Sequence, residues 1–321
     1  MFDFGKKKPN RSDAEEIVGS WYKQLISLKN DFAPLKTAVV HPTDAISLTG
    51  ALESAQENLI EPVFVGPKDK IMAAAKEAHL DISPYQLIDT MHSHESAEAA
   101  VVFIRSGQGE ALMKGHIHTD ELMEAVLNKE TGILTERRMS HVFSLHCHHY
   151  PKPLFVTDGA ININPTLTQK RDIVQNAIDL FVGLGLGKPK VAIISAVETV
   201  EEKIPSTIEA AALCKMAERG QIKGGILDGP LGFDLAISPE SSAAKEFHSD
   251  VAGDADIIVV PNLESGNMLY KQMTFLSETE AAAIVMGARV PIILTSRSSD
   301  ALSRMASCAM ALVYYRRSMV S

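Results

Sequence analysis

Short β-branched runs alternate with helix-length amphipathic runs along nearly the whole chain, and that rhythm is the strongest constraint on its fold. Thr37 to Val40, Pro62 to Gly66, Tyr85 to Asp89 and Glu110 to Met113 read as short buried strands. Helices are expected over Ala14 to Leu28, Ala45 to Ala55, Lys68 to Ala78, Ser96 to Ser106 and Asp120 to Asn128. In the first of these, Ile17, Val18, Trp21, Leu25 and Leu28 fall at helical spacing. Strands separated by helices call for a parallel sheet covered by helices on both faces.

The second half repeats the pattern. Strands are expected at His141 to His148, Pro153 to Val156, Lys190 to Glu198, Gly224 to Pro230, Asp256 to Asn262, Ala281 to Gly287 and Val290 to Leu294. Long helices fill Thr168 to Leu186, Ser206 to Arg219 and Ala301 to Leu312, and Ser206 with Glu209 matches a capping box. Gly183, Gly185 and Gly187 close a helix instead of opening one, which excludes the dinucleotide fingerprint of strand, glycines, then helix. The turn Tyr150-Pro151-Lys152-Pro153 is the best candidate for a domain crossing.

Polar residues recur where strands end: Lys114, Asp158, Asp228, Asn262 and Ser296. Such ends can line one cleft, since ligands in open α/β sheets bind outside the carboxyl ends of strands. Pro291 to Asp300 is the sharpest case, an apolar strand delivering Ser296, Arg297 and Asp300 to its end. A guanidinium beside a hydroxyl and a carboxylate suits an anion, and the Arg fork suits phosphate because it binds two oxygens at once. The plainer alternative is a helix N-cap at Ser298 or Ser299 beside a solvated Arg297. At Lys114-Gly115 a glycine lets backbone N–H groups approach a phosphate and the lysine adds a point charge.

Composition removes several classes. Net charge is −9 with no long basic run, unlike a nucleic-acid surface. No apolar run reaches the roughly 18 residues that a membrane span needs. Met1 to Pro9 is basic without a following apolar core, so no secretory signal is read. Cys147, Cys214 and Cys308 are scattered through apolar patterns, as for free thiols in a reducing cytoplasm. His146 and His148 would share a strand face and allow two imidazole ligands, but no third ligand follows, so no metal is expected.

An ordered series of motifs resembles the phosphate acetyltransferase/phosphate butyryltransferase family from about Leu35 to Leu312. The series runs Met113-Lys114-Gly115 with Thr119, then Thr157-Asp158-Gly159-Ala160-Ile161-Asn162 with Pro165, then Pro189 to Ala192. It continues through Pro205-Ser206-Thr207, Asp228-Gly229-Pro230-Leu231 with Asp234, Ala236 and Lys245, and Ala252 to Ile257. Pro261-Asn262-Leu263-Glu264-Ser265-Gly266-Asn267 and Thr295-Ser296-Arg297 complete it. Lys170 to Ala177 and Pro291 to Arg297 resemble most the branch often fused behind an enoyl-CoA hydratase domain, so a hydratase is a candidate partner.

The resemblance implies transfer of a short acyl group, acetyl or butyryl, between coenzyme A and inorganic phosphate. It implies two α/β domains with mainly parallel sheets, an inter-domain cleft of the isocitrate/isopropylmalate dehydrogenase kind, and a cytoplasmic homodimer. Residues 1–150 plus 285–321 would form the first domain and 151–284 the second. Coenzyme A enters as a substrate; no bound cofactor is implied. Arg297 would hold phosphate, Ser296 would donate to the oxyanion, and a carboxylate would take the thiol proton. Lys114, Gly115, Thr119, Asp158, Asn162, Asp228, Gly229, Pro230, Asn262, Asn267 and Lys271 would bind substrate. Two positions depart from the pattern. Ser303 stands where the acetyl branch has its Asp, leaving Asp300 as the available base, and Glu124 stands where many relatives carry an Arg for a CoA phosphate. Two rivals remain at this stage: a metal-dependent dehydrogenase of similar shape, and a non-catalytic acyl-CoA-binding partner of a hydratase.

Overall fold

The computed structural model describes residues 20–29, 32–295 and 300–319. Its first described element is α1 (Ser20–Ser27). Next, β1 (Leu35–Val40), β2 (Ile60–Gly66), β3 (Leu87–Asp89) and β4 (Ala111–Lys114) alternate with α2 (Ala45–Gln56), α3 (Lys68–Glu77) and α4 (Ser93–Arg105), and α5 (Thr119–Leu127) follows. The chain then forms β5 (Ser140–His146), β6 (Leu154–Thr157), α6 (Leu167–Gly183), β7 (Lys190–Ile194), α7 (Pro205–Glu218) and β8 (Ile226–Leu231). It ends with α8 (Phe233–Ile237), α9 (Pro239–Ala244), β9 (Ile257–Val259), α10 (Leu263–Leu276), β10 (Glu280–Met286), β11 (Ile292–Ile293) and α11 (Ala301–Ser318).

The strands hydrogen-bond into one sheet of order β3-β2-β1-β4-β11-β10-β5-β6-β9-β7-β8. From β3 to β11 they run parallel, as do β6, β9, β7 and β8. Between these blocks β10 is antiparallel to both β11 and β5, and β5 is antiparallel to β6. Three reversals therefore separate β11 from β6, so the two parallel blocks run in opposite senses. One row of the register crosses five strands: Met113, Ile293, Ile284, Val142 and Thr157. The carboxyl ends of β4, β11 and β6 consequently meet at one level of the sheet.

Packing divides along the two faces of that centre, as strand alternation requires. Met113, Ile293, Ile284 and Val142 point to the face covered by α11 and α6, in one large core with Ala306, Cys308, Ala309, Met310 and Leu312. Full burial of each larger side chain contributes about 1.5–3 kcal/mol. Small residues at Ala282, Ala306 and Ala309 let α11 lie close on β10. On the opposite face the apolar surface splits into two clusters. One holds Leu112, Val285, Ile292 and Leu294 with residues of α4 and α5; the other holds Phe143, Ala281, Ala283 and Val156 with residues of α8 and α10.

Local differences from the sequence reading have physical causes. The capping box at Ser206 is absent: the N-cap is Ile204, Pro205 occupies the first turn, and no side chain caps it. Ser206 Oγ lies 2.9 Å from Ser195 Oγ, and Glu209 instead pairs with Lys170, so both groups are drawn into tertiary contacts. β5 ends at His146, so His148 leaves the strand face it was expected to share. α11 runs to Ser318, beyond Leu312, because Arg316 on its last turn grips Glu110 through two nitrogens at 2.6 and 2.8 Å. Asp300 is its N-cap; Ser298 and Ser299 lie outside the described residues.

Candidate active site

A cavity of about 310 Å³ occupies the gap between the two clusters on the split face. Its floor is the sheet, contributed by His141 and Phe143 of β5, Ala281 and Ala283 of β10, and Leu294 after β11. One wall carries Lys114, His118 and Thr119, from the end of β4 and the start of α5; the other carries Asn267, Tyr270 and Lys271 of α10. Thr295 and Ser303 close the side where α11 begins.

Two smaller cavities adjoin it. One of about 100 Å³ shares Lys114 and Thr295 and adds Gly115, Asp44 and Arg304. The other, about 190 Å³, shares Tyr270, Ala281 and Ser303 and adds Asp300 and Tyr22. Thr295 and Asp300 thus bring the chain to and from this cleft. Ser296 and Arg297, the foremost sequence candidates, lie between them and outside the described residues.

Charge in the main cavity opposes that of the whole chain. Its described lining has two lysines, Lys114 and Lys271, and no Asp or Glu. Burial raises the Tyr270 phenol, which stays protonated and able to donate. The Phe143 ring stacks on Tyr270 with centroids 4.1 Å apart, which fixes α10 against the floor. Glu124 lies elsewhere, in a groove between α4 and α5 with Glu98, Glu121 and His94.

Of the residues named from sequence, Lys114, Thr119, Asn267 and Lys271 come together in the main cavity, with Gly115 and Asp300 in its two neighbours. Gly115 fits because nothing larger would: a Cβ there would stand 2.4 Å from the Val40 carbonyl oxygen. Asn267 Nδ2 donates to the Gly159 carbonyl at 3.1 Å.

The remaining described candidates do not line these three cavities. Asp158 is buried and accepts the N–H groups of Ala160, Ile161 and Asn162 at 3.0–3.2 Å and of His141 at 3.3 Å. Burial raises its pKa despite those bonds. Asn162 donates to the Met139 carbonyl at 2.8 Å and accepts from Arg138 Nε at 2.5 Å. Both side chains organise the loop after β6. Asn262 caps α10 by accepting the Ser265 N–H at 3.0 Å. Asp228, Gly229 and Pro230 sit on β8, the edge strand, with β7, β9 and β6 between them and β5.

His141, Phe143, Tyr270, Ala281 and Ala283 line the cavity without having been among the site residues named from the sequence. Among the described residues no three His, Cys, Asp or Glu side chains converge on a metal-sized site.

Comparison with known proteins agrees with this geometry. The family described as Phosphate acetyl/butaryl transferase matches residues 93–312. The chain belongs to that family. A phosphate acetyltransferase of Rhizobium meliloti is 56% identical over 93% of this chain and 94% of its own length. A phosphate butyryltransferase of Clostridium acetobutylicum is 37% identical over 86% of this chain and 92% of its own. Among solved structures, a branched-chain phosphotransacylase from Enterococcus faecalis V583 superposes with a TM-score of 0.76 at 28% identity, covering 88% of this chain and 99% of that one. These relatives cover most of the chain.

Proposed function

We propose that this protein is a phosphate acyltransferase, converting acyl-CoA and inorganic phosphate into acyl phosphate and coenzyme A, with acetyl as its preferred acyl group. The observation that carries the reading is the cavity where the ends of β4, β11 and β6 meet, cationic through Lys114 and Lys271 in a chain of net charge −9. A pocket lined by two lysines suits phosphate and the phosphates of CoA. Acetyl is favoured over butyryl by the 56% identity to an acetyltransferase against 37% to a butyryltransferase.

The chemistry distributes over the cleft. A phosphate oxygen attacks the thioester carbonyl carbon, the carbonyl electron pair moves onto oxygen, and collapse expels the thiolate. Arg297 holds phosphate beside the carbonyl, so that the reaction gains from positioning. Ser296 donates to the oxyanion. In the reverse direction Asp300 takes the proton of the CoA thiol. Lys114, Thr119, Asn267 and Lys271 hold the anionic substrates. Two copies of the chain form the working unit, in the cytoplasm.

Acetyl-, propionyl-, butyryl- and crotonyl-CoA, each assayed with phosphate by release of free thiol, test the reading. Acetyl-CoA should give the highest kcat/KM. One methylene is worth only about 1–3 kcal/mol of discrimination, so propionyl-CoA should follow within about 10–200-fold. No thiol release with any of the four overturns the assignment.

A further inference from the structure

Arg304, in the first turns of α11, has no task in the mechanism above, yet only 8% of it is exposed. Its stem fills the space beside Gly50 of α2, where a Cβ would stand 2.8 Å from Arg304 Cδ. Nη1 donates one long hydrogen bond, 3.4 Å, to the Ile46 carbonyl. A guanidinium has five N–H donors. Nε and Nη2 have no partner among the described residues, and neither is fully enclosed, so both keep surface open to the cavity that Arg304 lines.

The position is a poor one for a lone cation. Arg304 forms no ion pair among the described residues. Burial lowers its pKa, and the carboxylates of Asp44, Asp300 and Glu53 offset that only in part. It stands near the positive end of α11 and faces the positive end of α2, where an acid or an anion is favoured. A charge held out of water is costly unless paired. The cavity of about 100 Å³ at this point has Lys114 as a second cation and the first turn of α2, where the Ile46 N–H makes no hydrogen bond among the described residues. Its one acid among the described residues is Asp44, whose Oδ1 is committed to capping α2 through the Ser47 N–H at 2.7 Å. Fixed cations and a free N–H at a helix N-terminus together make an anion site.

We propose that this small cavity is a phosphate subsite beside the active cleft, in which the Arg304 guanidinium binds a phosphate group of a substrate. The proposal rests on the phosphate acyltransferase reading, which supplies two sources of that group: inorganic phosphate and coenzyme A. The cavity has room for one tetrahedral oxyanion and not for a nucleotide, so a CoA phosphate would enter with the rest of the molecule outside. It shares Lys114 and Thr295 with the main cavity, which puts the bound anion next to the space for the acyl group. Gly50 serves the site by leaving room for the Arg304 stem, so that the guanidinium reaches the cavity between α2 and the turn at Gly115.

The full chain and its Arg304→Gln, Arg304→Lys and Gly50→Ala variants, each checked by thermal unfolding, are assayed with acetyl-CoA and phosphate. A parent protein that releases no thiol overturns the functional reading itself, before the variants are compared. With an active parent, Arg304→Gln should raise the KM of one substrate about 10–100-fold, the effect of losing hydrogen bonds from a charged group, with kcat within about threefold. A rise for phosphate identifies inorganic phosphate as the ligand; a rise for acetyl-CoA identifies a CoA phosphate. Arg304→Lys should recover part of the loss, and Gly50→Ala, which displaces the guanidinium without removing it, should raise the same KM. Unchanged KM values overturn the proposal, as does an equal rise in both, which marks a distorted cleft. A second measurement needs no turnover and stands if Arg304→Gln fails to fold. In ¹⁵N-arginine-labelled parent protein, the Nε–H resonance missing from Arg304→Lys should shift on titration with inorganic phosphate or with CoA, whichever the kinetics name. A resonance that moves in neither titration refutes the contact.

Discussion

Asp300 Oδ1 accepts the backbone N–H of Ser303 at 2.7 Å, and the Ser303 hydroxyl donates in turn to the Ala281 carbonyl on β10. The start of α11 is thereby tied to the floor of the cleft. The carboxylate has a second oxygen and lines the cavity next to Tyr270, so capping the helix leaves it able to take a proton. Asp300→Asn separates the two roles. Asn remains a good N-cap, so the unfolding midpoint should hardly move. In the direction that makes acetyl-CoA, kcat should fall about 10²–10⁴-fold, with partial recovery at higher pH, where the thiol ionises unaided. Nearly parental rates across pH 6–9, roughly the range around a free thiol pKa, would assign the proton to another group.

Gly115→Ala tests whether the turn after β4 shapes the site. The added Cβ would lie 2.4 Å from the Val40 carbonyl and 3.0 Å from backbone atoms of His41 and Pro42. These are backbone atoms of a neighbouring turn, which also accepts the Gly115 N–H at 2.9 Å, so they cannot swing aside as a long side chain would. A loss of about 1–3 kcal/mol of stability is expected from the overpacking, measured by urea unfolding. Lys114 should shift with the turn and raise the KM for phosphate or acetyl-CoA. Unchanged stability and KM would show that the turn has slack.

Most elements were legible because strands of period two and helices of period 3.6 leave different patterns. Strand direction was not. The fully buried run Ala281 to Met286 reads the same whether parallel or antiparallel, and the reversal at β10 and β5 makes the two blocks face each other. Strand order was equally silent, which is why Asp228 looked equivalent to Lys114 but lies on the far edge. Asp158 and Asn162 were legible as a polar turn, yet the bonds they make to His141 and Met139 are tertiary. His141 was legible only as one histidine opening an apolar strand; its burial against Phe143 is tertiary.

Arg297→Lys examines the residue on which phosphate binding is proposed to depend. Lysine keeps the charge but loses the fork that binds two oxygens at once. Activity should fall by roughly 100-fold or more, an effect of lost positioning, while the thermal midpoint stays near that of the parent. A variant with near-normal kcat/KM for phosphate would remove Arg297 from the site.

Acid should destabilise the protein partly through His141, and the window follows from its pKa. In the unfolded chain the imidazole titrates near its ordinary value of 6.5; in the fold, burial lowers it to about 4. Between those values the unfolded state binds a proton that the folded state does not, so stability rises with pH across the window. The contribution is complete above about 6.5 and is lost as pH falls towards 4, with a limiting slope of about 1.4 kcal/mol per unit and a total on the order of 3 kcal/mol. His41 and His146 are shifted downward as well, so the parent curve alone cannot isolate one ring. The difference between parent and His141→Gln can, because the other histidines are common to both. Urea unfolding at half-unit steps from pH 4 to 8 should show the parent losing stability faster below 6.5 than the variant. Parallel curves would mean that the His141 pKa is the same in the folded and the unfolded chain, so that burial does not hold the ring neutral below 6.5.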